Sequence, residues 1–174
     1  MSRPIIVIRP EPGCSATVAA GRAAGLDTRG FPLFAIRPRA WQVPPRDTFD
    51  ALLLGSANAV RHARDALAGW SGVPAYAVGE VTARAARSAG LSVAATGAGG
   101  LQALLDTLSG PLRLLRLAGE DHVPMRSPPG ITIDTRIAYT TEPQPMPAEL
   151  AETLRAGAVV VLHSAGAARH FAAE

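Results

Sequence analysis

The chain has 174 residues, 48% of them hydrophobic and 18% charged, which is globular composition with enough apolar material for a real core. All 17 of its basic residues are arginine, so a P-loop lysine, a Schiff-base lysine and a pyridoxal-phosphate anchor are excluded. The net charge of +3 comes from scattered arginines such as Arg37/Arg39 and Arg61/Arg64, with no basic run interleaved with aromatics, so it points away from nucleic acid and toward a small polyanion that guanidinium forks can hold.

Residues 5–8 (Ile5-Ile6-Val7-Ile8) form a β-branched apolar run, predict a buried strand, and are too short and too soon charged for a signal peptide. Cys14, the single cysteine, precedes the first predicted helix and has no obvious base beside it; alone it forms no intramolecular disulfide, which suits a reducing, cytoplasmic setting. Residues 15–24 predict a helix stopped by Gly25, and residues 33–36 a second apolar run. Arg37-Pro38-Arg39 through Pro44-Pro45 reads as a linker. Residues 49–54 predict a strand, and residues 57–67 a helix capped by Ser56. Residues 73–78 predict a strand, and Gly79-Glu80 opens a helix that runs to Ser88 and stops at Gly90. A strand over 91–95, a glycine turn over 97–100, a helix over 101–108 and a strand over 112–117 follow, with Gly119-Glu120 starting another turn. The glycine turn lacks the spacing and position of a dinucleotide fingerprint. Apolar strands alternating with helices indicate βαβ units and a parallel α/β sheet.

Residues 131–141 alternate instead. Ile131, Ile133, Thr135, Ile137 and Tyr139 fall on one face and Thr132, Asp134 and Arg136 on the other, the pattern of a half-exposed strand. Pro147 opens a helix that Gly157 closes, and residues 159–162 predict a buried strand. No stretch is long enough to cross a membrane. His62, His122, His163 and His170 show no metal-ligand spacing, and His62 and His170 are expected on exposed helix faces.

Two segments repeat. Leu52-Leu53-Leu54-Gly55-Ser56-Ala57-Asn58-Ala59-Val60-Arg61-His62 parallels Val160-Val161-Leu162-His163-Ser164-Ala165-Gly166-Ala167-Ala168-Arg169-His170. Each is an apolar strand, a serine turn and the start of a helix, as expected of two duplicated α/β domains. If the domains are equivalent, about 50 to 70 residues that would complete the second copy are missing, judged by the length of the first.

The ordered pieces Ile6-Val7-Ile8-Arg9-Pro10, Phe49 to Val60, Ala75 to Ala86, Leu115-Arg116-Leu117-Ala118-Gly119-Glu120, Ile137-Ala138-Tyr139-Thr140-Thr141 and Val161-Leu162-His163-Ser164 span nearly the whole chain. In this order they resemble the uroporphyrinogen-III synthase family, in a form shortened at its C-terminus. The sequence departs from the family at Gly55, where many members carry Thr, at Ala118, where many carry Arg, and at Gly166, which follows Ser164-Ala165 where Pro-Ser is frequent. The resemblance implies two similar parallel-sheet α/β domains, flavodoxin-like or HemD-like, joined by a two-stranded β linker. Residues 1–32 with 146–174 would form the discontinuous first domain, 33–48 and 132–145 the linker, and 49–131 the second domain.

The resemblance also implies a monomeric, cofactor-free enzyme of the cytoplasm. Its substrate would be hydroxymethylbilane, a linear tetrapyrrole; neither nucleic acid, membrane nor metal would take part. The family's reaction removes the terminal hydroxyl, closes the ring and inverts the last pyrrole through a spiro intermediate. Unaided, the same precursor gives the uninverted isomer, so the task is one of orientation. Tyr139 matches the family's linker tyrosine, proposed to protonate the departing hydroxyl; packed against the ladder with its hydroxyl in water, it would be structural instead.

The strand-to-helix turns at Ser56-Ala57-Asn58, Gly79 to Thr82 with Val81, Gly119-Glu120 and Ser164-Ala165 would share the ligand-binding edge of a parallel sheet and offer backbone N–H groups to substrate carboxylates. Ser56, Thr82 and Ser164 are equally readable as helix caps. Arg9 either pairs with a carboxylate or ends a strand at the surface. The rival readings are a non-catalytic two-lobed module that binds an anionic small molecule, and a nucleotide-sugar or flavin binder.

Overall fold

The computed structural model describes residues 3–174; Met1 and Ser2, at the start of the expected first domain, lie outside the described residues. The chain separates into two compact units, Met1–Ile36 with Thr141–Glu174 and Arg37–Thr140.

The first unit holds a parallel sheet ordered β2-β1-β9, from β1 (Ile5–Val7), β2 (Thr28–Gly30) and β9 (Val159–Val161). Helix α1 (Gly13–Ala23) brings the chain from β1 back to β2, and Gly25 ends it at φ +77°, a left-handed angle that glycine adopts without strain. Cys14 lies inside this helix rather than before it, buried with its thiol 3.4 Å from the Val7 carbonyl; burial raises its pKa first, aided by Glu11. Ile6 and Ile8 pack with Leu33, with Leu150 of α5 (Ala148–Arg155) and with Ala167 of α6 (Ala165–Ala173). Strand β2 carries no apolar run that would announce it. Its Thr28 is buried and donates its hydroxyl to the Leu26 carbonyl.

The expected burial of residues 159–162 does not hold. Val159 is 49% and Leu162 48% exposed, because β9 has only β1 beside it among the described residues. His170 is half-buried rather than exposed. Its Nε2 lies 2.8 Å from the Gln144 carbonyl and its ring meets Phe34 edge-on.

The larger sheet is ordered β3-β8-β7-β4-β5-β6, from β3 (Phe34–Pro38), β4 (Ala51–Leu54), β5 (Pro74–Val78), β6 (Ser92–Gly97), β7 (Leu112–Gly119) and β8 (Ile131–Pro143). From β8 to β6 every pairing is parallel. The end strand β3 runs antiparallel to β8: Gln144 N–H donates to the Leu33 carbonyl and Arg39 N–H to that of Ala138, so one strand advances as the other retreats.

Leu52, Leu53 and Leu54 are fully buried in the middle of this sheet. Burial of one such side chain is worth about 1.5–3 kcal/mol. On one face α2 (Ala57–Ala63) and α3 (Gly79–Ser88) cover Leu52, Leu54, Leu115 and Leu117. On the other, α4 (Leu101–Leu105) and Met125 cover Leu53, Leu114 and Ile131. Both α2 and α4 are shorter than the sequence predicts. The connection from β7 to β8 contains no helix, because Pro124, Pro128 and Pro129 interrupt it.

Counted along the chain, the parallel strands of the second unit lie in the order 3-2-1-4-5, which differs from the 2-1-3-4-5 of flavodoxin. The order reverses between β4 and β7. In an open α/β sheet, the crevice outside the carboxyl ends of the strands at this reversal is where ligands bind.

Candidate active site

In the second unit, Ser56-Ala57-Asn58 follow β4, Gly79, Val81 and Thr82 follow β5, and Gly119-Glu120 end β7. Because these strands are parallel neighbours, all three turns lie on one edge, and the first and third flank the reversal point. In the first unit, Arg9 follows β1 and Ser164-Ala165 follow β9, again at neighbouring carboxyl ends.

Both serines are caps. Ser56 Oγ accepts from the Asn58 N–H at 3.2 Å, and Ser164 Oγ from the Ala167 N–H at 3.0 Å, each from an extended backbone. Thr82 is not a cap; it is buried one turn inside α3. That helix follows Val78 and has no side-chain cap, so its first-turn N–H groups keep only what an approaching ligand or water supplies. Gly79 holds φ +73° with open space where a side chain would stand, so its backbone angle, not crowding, requires glycine. Val81 beside it is 59% exposed, while Ala57 is buried. Asn58 Oδ1 accepts from Arg61. Gly119-Glu120 precede no helix and offer no helix N-terminus, contrary to the sequence expectation.

Arg9 folds over the start of α1, so close that a Cβ on Gly13 would come within 2.5 Å of its Nε. Its charge reaches His163, whose pKa is lowered by burial first and by Arg9 second.

Tyr139 sits on the opposite face from the one its sequence alternation assigns. Ala118 pairs with Ile137 but Gly119 pairs with Tyr139, so Ala138 is an extra residue, a β-bulge. One added residue flips every later side chain to the other face. Ala138 keeps the face of Asp134 and Arg136 and is fully buried among the residues under α2 and α3, and Tyr139 is turned onto the same cluster. The tyrosine ring lies on Gly119 and beside His62, with ring centroids 6.1 Å apart. His62 is half-buried rather than exposed, and burial lowers its pKa, with Arg61 adding to the effect.

Both carboxylate oxygens of Glu120 are engaged. Its Oε1 accepts from Arg39 Nη1 at 2.6 Å and its Oε2 from Thr140 Oγ1 at 2.7 Å. Its backbone N–H donates to the Tyr139 carbonyl at 3.0 Å. The Thr140 hydrogen bond and then Arg39 hold its carboxyl below the usual carboxylate range. Sequence reasoning missed Arg39, Thr140 and His62 here. Thr140 stands within the motif around Tyr139, but Arg39 is 81 positions from Glu120 and carries no local signal. Among the described residues, no cluster of three or more His, Cys, Asp and Glu side chains could hold a metal ion, and no helix is long and apolar enough to cross a membrane.

The model of the uroporphyrinogen-III synthase HemD family matches residues 15–173. The chain belongs to this family. A search of curated proteins finds no match. Among solved structures, the uroporphyrinogen-III synthetase of Helicobacter pylori is similar with a TM-score of 0.62 and 18% identity, over 99% of this chain and 78% of its own. A mutant uroporphyrinogen III synthase of Thermus thermophilus is similar with a TM-score of 0.60 and 19% identity, over 97% of this chain and 75% of its own. At these identities the likeness is one of fold. The family and these neighbours agree on a mixed α/β fold with parallel sheets.

Proposed function

We propose that this chain is a uroporphyrinogen-III synthase, a cyclising hydro-lyase that converts hydroxymethylbilane to uroporphyrinogen III in tetrapyrrole biosynthesis. The observation that carries the reading is the family match across nearly the whole chain. The placement of Tyr139 beside the strand-end turns of a parallel sheet supports it.

In this reading the Tyr139 phenol donates its proton to the terminal hydroxyl, which leaves as water. The methylene left behind is attacked by the substituted carbon of the last pyrrole, and the spiro intermediate reopens and closes with that ring inverted. Carboxylate-binding turns lie within each unit by itself: in the second at Ser56-Ala57-Asn58, the uncapped first turn of α3 at Gly79, Val81 and Thr82, and Gly119, and in the first at Arg9 and Ser164-Ala165. Residues 1–32 with 146–174 and residues 49–131 act as two domains linked by 33–48 and 132–145. The protein works as a cytoplasmic monomer without cofactor, metal or nucleic acid.

The test generates hydroxymethylbilane in situ and separates the oxidised products by isomer. Excess type III isomer is expected. Tyr139→Phe lowers turnover about 10²-fold or more with little change in KM, the scale of a lost general acid. Only the spontaneous type I isomer from folded protein overturns the enzyme reading. Unchanged turnover in Tyr139→Phe removes Tyr139 from the mechanism.

A further inference from the structure

Each Glu120 oxygen already holds a neighbour within the chain, and its charge repels a polycarboxylate, so its contribution lies elsewhere. Its three contacts converge on one short stretch of β8. The backbone N–H holds the Tyr139 carbonyl, Oε2 holds the Thr140 hydroxyl, and Oε1 holds Arg39, whose own N–H donates to the Ala138 carbonyl at 2.9 Å. Residues 138, 139 and 140 are each gripped once. The stretch includes the bulge that aims Tyr139, and a bulge needs such support because its extra residue has no partner in the ladder.

We propose that Arg39, Glu120 and Thr140 form a clasp that fixes the bulge and thereby the direction of the Tyr139 ring, which makes them positioning residues for the reaction. This rests on the reading of Tyr139 as the general acid. Arg39 and Glu120 side chains are 49% and 47% exposed, so the pair adds little to global stability and its loss reorients rather than unfolds. A misplacement near 1 Å at a reacting group costs on the order of 10²-fold in rate.

The chain has two tyrosines, Tyr76 and Tyr139, so fluorotyrosine labelling gives two ¹⁹F resonances, and Tyr139→Phe assigns them. Glu120→Ala, Arg39→Ala and Thr140→Val are expected to shift or broaden the Tyr139 resonance while that of Tyr76 stays. Each lowers kcat on the order of 10- to 100-fold at nearly constant KM and raises the type I share. Glu120→Gln keeps an acceptor for Arg39 and an amide that bonds the Thr140 oxygen, and restores most of the rate. An unmoved Tyr139 resonance, equal shifts of both resonances, or a Glu120→Gln chain as impaired as Glu120→Ala overturns the clasp. The resonances do not depend on catalysis. A shifted Tyr139 signal with full activity in Tyr139→Phe therefore keeps the geometric clasp and rejects its catalytic purpose, whereas an unmoved signal rejects the clasp itself.

Discussion

Gly119→Ala tests where the Tyr139 ring lies. A Cβ at residue 119 would stand 2.6 Å from Tyr139 Cζ, 2.8 Å from Cε2 and 2.9 Å from Oη. Carbon atoms settle near 3.5 Å or beyond, so the ring must retreat by roughly 1 Å. The obstacle is a rigid ring held by the bulge, not the free end of a flexible chain. Gly119 is not among the glycines with positive φ, so alanine meets no backbone strain. Without the ring, the substitution would stabilise by about 0.4–1 kcal/mol through the unfolded chain. With it, overpacking costs about 1–3 kcal/mol. For a chain of this size each kcal/mol moves Tm by about 2–4 °C, so a fall of roughly 2–12 °C is expected, together with a loss of type III product. The sharper assay is a double-mutant cycle with Tyr139→Ala, in which the Gly119→Ala effect changes sign because its obstacle is gone. An unchanged or higher Tm for Gly119→Ala alone, or the same effect in both backgrounds, refutes this placement of the ring.

Ser164→Ala removes the cap of α6 and costs about 1 kcal/mol, seen as a lower Tm and faster amide exchange in residues 165–168, while Ser164→Asp keeps a capping oxygen and most of the stability. Burial holds the His62 pKa below its ordinary 6.5, so the unfolded chain takes up that proton first. Stability is therefore full above pH 6.5 and falls as pH drops from there through the lowered folded value. Urea midpoints across that window should be flatter for His62→Gln, and an equal slope would show that another group is responsible. Arg116 is buried, its Nε meets no partner and its Nη2 makes a single bond to the Val123 carbonyl. Arg116→Met is expected to leave Tm unchanged or raise it, because the substitution removes a poorly compensated buried cation; a fall of more than about 4 °C would mean that the guanidinium is well satisfied.

Much of the second unit was legible in the sequence. Strand β4 is a continuous apolar run because it is covered on both faces, and the helices begin at serine or glycine turns, with α3 stopping before Gly90 at positive φ. Helices α2 and α4 stop short of their sequence pattern, since stretches such as the alanine-rich 57–67 propagate it past the point where packing ends. Strand β2 was invisible because Thr28-Arg29-Gly30 carries no hydrophobic signal; its pairing with β1 is a tertiary fact. The reversal in strand order was equally hidden, since it depends on which edge of the sheet β7 joins.

The site shows the same division on a finer scale. Caps depend on atoms two or three residues away, so Ser56 and Ser164 behave alike although they lie in different units. Burial depends on what lies beside the strand, so Leu52 to Leu54 between β5 and β7 are sealed while the matching stretch through Leu162 is not. Tyr139 belongs to the second kind. Its alternation is regular through Ile137, and only the register with β7 reveals that Ala138 is inserted and the ring turned to the α2 face. A residue type can be read from a motif, but the direction of its side chain is set by a partner strand. For Tyr139, that direction decides whether its neighbours are His62 and Gly119 or the apolar cluster under α4.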